Sequence, residues 1–263
     1  MVDKTLFGSN LFAICGDIHA NLESLDAVFF DAKSKGVSQI ICTGDIVGYG
    51  ASPSRCLKLI RDLNCPTVLG NHDSYAATGD GLNEFNPNAM SAILWTREHL
   101  SDDEKAWLVN LPMQIDLSDK VVAGRQAARL VHSSLIDPEK WCYILKPENA
   151  EAALRVQESD IVFFGHTHVP SLFSFNSETK EFRSKSSVDA GVYELEPGWK
   201  HLVNPGSVGQ PRDRDNRASY AIYDSQAGTI EIRRVEYDIA TAQKKIKAAG
   251  LPLRNAERLS HGR

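Results

Sequence analysis

Leu11-Phe12-Ala13-Ile14-Cys15-Gly16-Asp17-Ile18-His19-Ala20-Asn21 carries the pattern on which the fold turns. Residues 11–15 are an apolar run of buried-strand length, and Gly16-Asp17 breaks it. Leu22, Leu25, Val28, Phe29 and Ala32 then recur at helical spacing until Gly36 stops them. The same phrase returns downstream. Ile40-Ile41-Cys42 is closed by Gly44-Asp45, and Ser52-Pro53 opens a helix with Cys56, Leu57, Ile60 and Leu63 on one face. Thr67-Val68-Leu69 runs into Gly70-Asn71-His72-Asp73 as a third strand. Strand, helix, strand, helix, strand predicts an α/β core of adjacent, mostly parallel strands.

Beyond it the pattern turns helical. Pro87–His99 reads as one helix, and Ser101 with Glu104 three residues on is a capping box that opens another. Strand character returns at Ala128–Val131 and Ile161–Phe164, with a helix at Pro147–Val156 between them. Ser171–Phe175, Gly191–Glu194, Leu202–Asn204, Tyr220–Asp224 and Thr229–Tyr237 read as strands of a second sheet, followed by a helix at Ala240–Ala249. No repeat and no Pro/Ser linker divides the chain, so residues 1–263 read as a single domain. Within it, 82–113 is a helical insertion placed to act as packing or as a lid, and 239–263 is a C-terminal helix and tail.

Composition narrows the class. The chain has 263 residues, 42% hydrophobic and 24% charged, as in a soluble globule and not a disordered chain. A net charge of −5 lacks the basic field of a nucleic-acid coat protein. No apolar run reaches the roughly 18–20 residues of a membrane span, and Met1–Gly8 lacks signal-peptide character. Five cysteines with no Cys-x-x-Cys pair read as reduced thiols of a cytoplasmic protein. Cys15 and Cys42, inside apolar strands, read as small hydrophobes.

Polar chemistry collects where the strands end: Asp17-x-His19, Asp45, Asn71-His72, His132 and His166-x-His168. Five of the eight histidines sit at these junctions. In an α/β sheet the carboxyl ends of parallel strands share one edge, where ligands bind. Residues spread over about 150 positions therefore converge there. Each motif alone has an ordinary structural explanation, since Asp-x-His is common and Gly-Asn-His-Asp suits a turn. The conjunction, each after a β-type run, does not.

Asp17-x-His19, Gly44-Asp45, Gly70-Asn71-His72-Asp73, the single His132 and Gly165-His166-Thr167-His168 resemble the five signatures of the calcineurin-like metallophosphoesterases. The longer strings at 16–21, 44–50 and 204–212 resemble the small bacterial YfcE-like phosphodiesterase branch, over a stretch from about Leu11 to the C-terminal helix. The resemblance implies a four-layered α/β/β/α sandwich, two mixed β-sheets flanked by helices. It implies two divalent transition-metal ions per chain: Asp17, His19 and His168 on one, Asn71, His132 and His166 on the other, and Asp45 bridging both. A hydroxide bridging the ions would attack phosphorus in line. Imidazole, carboxylate and amide ligands suit manganese, the favoured metal, or iron or zinc, over an all-oxygen cage. His72 would serve the leaving group, and Asn21, Tyr49 and Arg212 are the candidate substrate contacts. Asp73 reads as a turn stabiliser, and Trp107, Trp141 and Trp199 as core residues unless one walls a base site.

Two departures separate this chain from the protein-phosphatase and dinucleoside-tetraphosphatase branches. Gly48-Tyr49 stands where those read Asp-Arg, and Leu69 where they read a second Arg. The phosphate-clamping arginines and the acid that orients the histidine are absent. A phosphomonoester dianion needs such clamps more than a diester monoanion. The expected activity is therefore hydrolysis of a small phosphodiester or nucleotide. A dinucleoside polyphosphatase or a Ser/Thr protein phosphatase-like phosphomonoesterase is the alternative. A catalytically idle scaffold is disfavoured because no ligand position is lost. Oligomeric state is not written in these motifs.

Overall fold

The computed structural model describes residues 10–81, 85–117 and 127–263. The N-terminal reading of Met1–Gly8 and positions 82–84 of the helical insertion lie outside these. The strands are β1 (Leu11–Cys15), β2 (Gln39–Cys42), β3 (Gln114–Asp116), β4 (Ala128–Val131), β5 (Ile161–Phe163), β6 (Ser171–Asn176), β7 (Phe182–Lys185), β8 (Gly191–Glu194), β9 (Trp199–Asn204), β10 (Ala218–Asp224) and β11 (Thr229–Val235). The helices are α1 (Leu22–Ser34), α2 (Pro53–Asp62), α3 (Asn71–Thr78), α4 (Pro87–His99), α5 (Asp102–Val109), α6 (Pro147–Val156), α7 (Ile239–Ala248) and α8 (Leu253–Glu257).

Two mixed sheets form, a five-stranded one in the order β2-β1-β10-β11-β8 and a six-stranded one in the order β3-β4-β5-β9-β6-β7. Side-chain alternation along β1 explains the layering. Phe12 and Ile14 point into a core shared by the two sheets, where they meet Phe163, Val203 and Tyr223. Ala13 and Cys15 point the other way, to a core filled by Leu25 and Val28 of α1 and Leu57 and Ile60 of α2. On the far side, Val162 and Phe173 pack under Ala150, Ala153 and Leu154 of α6. The result is helix, sheet, sheet, helix. Each fully buried large aliphatic side chain contributes about 1.5–3 kcal/mol.

Two expectations are corrected. The third strand shrinks to a single parallel bridge between Cys42 and Thr67. The Leu69 N–H turns away to the Pro112 carbonyl at 2.9 Å, which takes the chain out of the ladder. The strands of the last third do not build a separate sheet. β10 inserts antiparallel beside β1, with Ala13 opposite Ile222, and brings β11 and β8 with it, while β6, β7 and β9 complete the other sheet. Helical expectations hold closely: Ser101 accepts from the Glu104 N–H at 3.2 Å, and the Glu104 carboxylate accepts from the Ser101 N–H at 2.8 Å.

Candidate functional site

Asp17 and His19 follow β1, Asp45 follows β2, Asn71 opens α3, His132 follows β4, and His166 and His168 follow β5. All seven side chains are buried. They fall into two groups: Asp17, His19, Asp45 and His168, and Asp45, His132 and His166, with one donor atom per residue lying within 4.8 Å of the others. Asp45 belongs to both. Its Oδ2 lies 3.7 Å from His19 Nε2 and 3.4 Å from His132 Nε2. Asn71 joins the second group, with Oδ1 3.2 Å from His132 Nε2.

The outer nitrogens decide what the inner ones can do. His19 Nδ1 donates to the Val47 carbonyl at 3.1 Å, His168 Nδ1 to Gln210 at 2.7 Å, His132 Nδ1 to Thr43 at 2.8 Å, and His166 Nε2 to Trp141 at 2.9 Å. A carbonyl only accepts, so each outer nitrogen carries the hydrogen and each inner one of a neutral ring presents a lone pair. His19 Nε2 and His168 Nε2 thus face each other at 3.0 Å. Asp17 and Asp45 add carboxylates, and among the described residues neither has a Lys or Arg within ion-pair distance. Converging lone pairs and uncompensated carboxylates in a buried place fit bound cations, one per group.

Protonation follows the same field. Burial pushes the Asp17 carboxyl up to about 7. Burial works the same way on Asp45, but His132, His72 and His19 surround it and hold it well below the usual carboxylate range. His19 and His168 are depressed well below ordinary imidazoles, first by burial, and His166 falls to about 3 for the same reason. Burial lowers His132 too, yet Asp45, through charge and hydrogen bond, lifts it to about 9. Positive charge is favoured there.

The backbone is bent to bring these groups inward. Asp17, His19, Asp45, His166 and His168 all have left-handed φ, from +48° to +68°. Non-glycine residues hold such angles only where surroundings impose them, and such strain concentrates at functional sites. Gly70 is required beside them, because a Cβ there would stand 2.2 Å from Asp45 Oδ1. Asp73 fixes the same turn: its Oδ1 accepts from the Ile46 and Val47 N–H groups at 2.9 and 3.1 Å.

Beside the ligands opens a cleft of about 280 Å³, lined by Tyr49, Asn71, His72, Trp141, Tyr143 and Arg212 among others. The Tyr49 ring packs against His19 at 4.8 Å and His72 at 4.5 Å. Arg212 donates to the Tyr49 hydroxyl at 3.4 Å and to Gln210 Oε1 at 3.0 Å. His72 is buried, with its main-chain N–H on Asp45 Oδ1 at 2.9 Å and its Nδ1 without a partner. Gly48 explains that orphan, since a Cβ at 48 would come within 2.4 Å of Nδ1. Burial first, then the Arg212 and His132 charges, pull the His72 imidazole down to about 4 against the opposing Asp45 carboxylate.

Asn21 is placed elsewhere. Its Oδ1 caps α1 through the Ser24 N–H at 3.3 Å and its Nδ2 donates to the Gly209 carbonyl at 2.9 Å, so both ends of the amide are occupied away from the cleft. Of the tryptophans only Trp141 lines the cleft; Trp107 packs against the helical layer and Trp199 is buried in β9. Six cleft residues escaped the sequence reading: Tyr75, Phe85, Asn86, Lys140, Tyr143 and Arg258. No local pattern marks them, because each is set by tertiary placement alone.

The loop that carries Arg212 is pinned by its neighbour. Asp213 pairs with Arg234 of β11, their side chains 6% and 4% exposed, and Asp215 lies 3.8 Å from the same guanidinium. Removing one member of a buried pair strands the other charge at about 3 kcal/mol or more. Asp213→Ala is expected to lower unfolding stability by about 3 kcal/mol, the low end because Asp215 remains. An unchanged denaturation midpoint would show the pair to be inconsequential.

A four-layered sandwich with a buried carboxylate–imidazole cluster at its strand ends defines a metal-dependent phosphoesterase. Residues 11–228 match the calcineurin-like phosphoesterase superfamily domain, and the chain belongs to that family: it is a hydrolase of phosphoric esters. It is 41% identical over 254 residues, 97% of this chain and 99% of the other, to an uncharacterized protein of Methanocaldococcus jannaschii. It is 31% identical to a symmetrical bis(5'-nucleosyl)-tetraphosphatase of Actinobacillus pleuropneumoniae, covering 73% of this chain and 78% of that one. The crystal structure of a metallophosphoesterase from Sphaerobacter thermophilus superimposes with a TM-score of 0.83 at 36% identity, covering 97% and 100% of the two chains. Among the described residues no helix is long and apolar enough to cross a membrane.

Proposed function

We propose that this single-domain chain is a binuclear, manganese-favouring phosphodiesterase that hydrolyses a small phosphodiester or nucleotide in the cytoplasm. The observation that carries the reading is Asp45, shared by both donor groups. Asp17, His19 and His168 would hold one ion and Asn71, His132 and His166 the other, with Asp45 available to both. Bound there, two divalent ions supply Lewis-acid charge and an activated water for in-line displacement. The chain's own side chains do the rest. The four outer carbonyls keep the imidazoles in the tautomer that presents lone pairs inward. Tyr49 and Arg212 orient the phosphoryl group from one wall. His72 stands beside Asp45 to serve the departing oxygen. Residues 82–113 contribute Phe85, whose ring meets His72 edge-on at 5.1 Å, as a wall of the cleft.

Tyr49 and Leu69 stand where the clamping arginines that a monoester dianion needs would be, so a diester is preferred. With manganese supplied, kcat/KM for bis-p-nitrophenyl phosphate is expected to exceed that for p-nitrophenyl phosphate. A clear preference for the monoester would make the enzyme a phosphatase. A second reading, hydrolysis of dinucleoside polyphosphates, gains support from the Arg212 and Arg258 guanidiniums at the cleft. The tetraphosphatase relative points the same way.

A further inference from the structure

Two loops beside the cleft are each tied to a different donor group. The loop after β9 belongs to the first: Arg212 N–H donates to the His168 carbonyl at 3.2 Å, and His168 Nδ1 donates to the Gln210 carbonyl at 2.7 Å. The loop after β4 belongs to the second. There Asp137 and Trp141 take left-handed φ of +46° and +50° on either side of a short 3₁₀ turn, Pro138–Lys140. Past that bend the Trp141 carbonyl accepts from His166 Nε2 at 2.9 Å. Two residues on, the Tyr143 ring stacks on the same imidazole, with centroids 3.9 Å apart and planes 18° from parallel. His166 is gripped at its edge and on its face.

From this stack Tyr143 reaches to Arg212. Loss of water around the phenol pushes its pKa up, while the Arg212 charge and a hydrogen bond from the guanidinium pull against that rise. The guanidinium also donates to the Tyr49 hydroxyl at 3.4 Å and to Gln210 Oε1 at 3.0 Å. All three partners are neutral oxygens, which fix the cation without cancelling its charge. Arg212 Nε is buried and has no partner among the described residues. The charge is felt at the centre: after burial, it is the largest influence lowering His168.

We infer that Tyr143 is a positioning residue, whose hydroxyl holds the Arg212 guanidinium at the cleft so that an incoming phosphoryl oxygen meets a cation already fixed. This rests on the phosphoesterase reading above, in which Arg212 contacts the phosphoryl group. The physical need is entropic. A long arginine side chain gives up rotamer freedom when it binds an anion, and one already held by two phenols has less to give up. Tyr49 holds it from the loop after β2 and Tyr143 from the loop after β4. The contact also spans the two donor groups, with His168 bonded to the arginine's main chain and His166 stacked on the tyrosine. A tyrosine kept for packing alone has no need of such a partner, and 47% of Tyr143 stays open to solvent beside the cleft.

The test is a double-mutant cycle of Tyr143→Phe and Arg212→Gln on the manganese-loaded full chain, with bis-p-nitrophenyl phosphate as substrate. Tyr143→Phe keeps the ring over His166 and removes only the hydroxyl. It is expected to raise KM about three- to tenfold, as for a partly solvated hydrogen bond to a charged group, with kcat within about twofold of wild type. Once Arg212 is replaced, the same change should move KM by less than about twofold, because the group it positions is gone. Calorimetric titration with manganese should give Tyr143→Phe the wild-type affinity. An unchanged KM in Tyr143→Phe, a full effect that persists without Arg212, or weakened manganese binding would overturn the positioning role. If the wild type hydrolyses neither this diester nor p-nitrophenyl phosphate, the phosphoesterase reading fails instead. The cycle is then read as the Kd of inorganic phosphate on the manganese-loaded chain: an Arg212-dependent rise of about threefold or more supports the role, and its absence overturns it.

Discussion

Asp45→Asn is expected to lose bound metal at both positions and to cut turnover at least about a hundredfold. The substitution is nearly isosteric, which makes it informative. Oδ1 accepts the His72 N–H at 2.9 Å, and an amide oxygen keeps that bond and the start of α3. Oδ2 faces His19 and His132 at 3.7 and 3.4 Å, and an amide NH2 there presents hydrogens to the inner lone pairs. The shared negative charge goes as well, and it is the one carboxylate common to both donor groups. A protein that folds but holds neither ion at full strength is the predicted outcome. It is read by elemental metal analysis beside kcat/KM for bis-p-nitrophenyl phosphate. Two equivalents of metal with full activity would refute the bridging role.

Much of this centre is legible in the sequence because its parts are local. A short β-type run of three to five residues, a glycine and then a metal-capable side chain mark a strand end without any tertiary knowledge, and three runs of that kind lie within the first 73 residues. What escaped was tertiary. Asn71-His72 reads as a turn after a third strand, whereas the Leu69 N–H goes to Pro112 and the next residues open α3. The pairing of β10 with β1 joins residues more than 200 positions apart, and periodicity within each segment is silent about its neighbour. Asn21 sits inside a family-like string yet spends its side chain on capping α1. Arg258 is the opposite case. It lies in an unremarkable tail, and only the docking of that tail against Tyr49 gives it chemistry. The missing arginines of the second and third motifs are thus not the whole account of cationic groups at this cleft.

His72→Ala is expected to separate leaving-group chemistry from metal binding. His72 touches the centre through its main chain, which alanine retains, and its side chain belongs to neither donor group. Metal content should therefore stay near wild type. The ring is packed by Tyr49 at 4.5 Å, His19 at 4.7 Å and Phe85 at 5.1 Å, and its Nδ1 is closed off against Gly48. The proton it offers a departing oxygen therefore sits on Nε2. General acid assistance is worth about 10²–10⁴-fold, and no carboxylate at position 48 raises the basicity of this ring, which places the effect near the lower figure. An alkyl or nucleotide leaving group needs that proton, whereas nitrophenolate departs without it. The variant should lose about a hundredfold on an alkyl diester and only a few-fold on bis-p-nitrophenyl phosphate. Equal losses on the two substrates, or loss of one metal, would mean that the ring shapes the wall of the site and does not serve the leaving group.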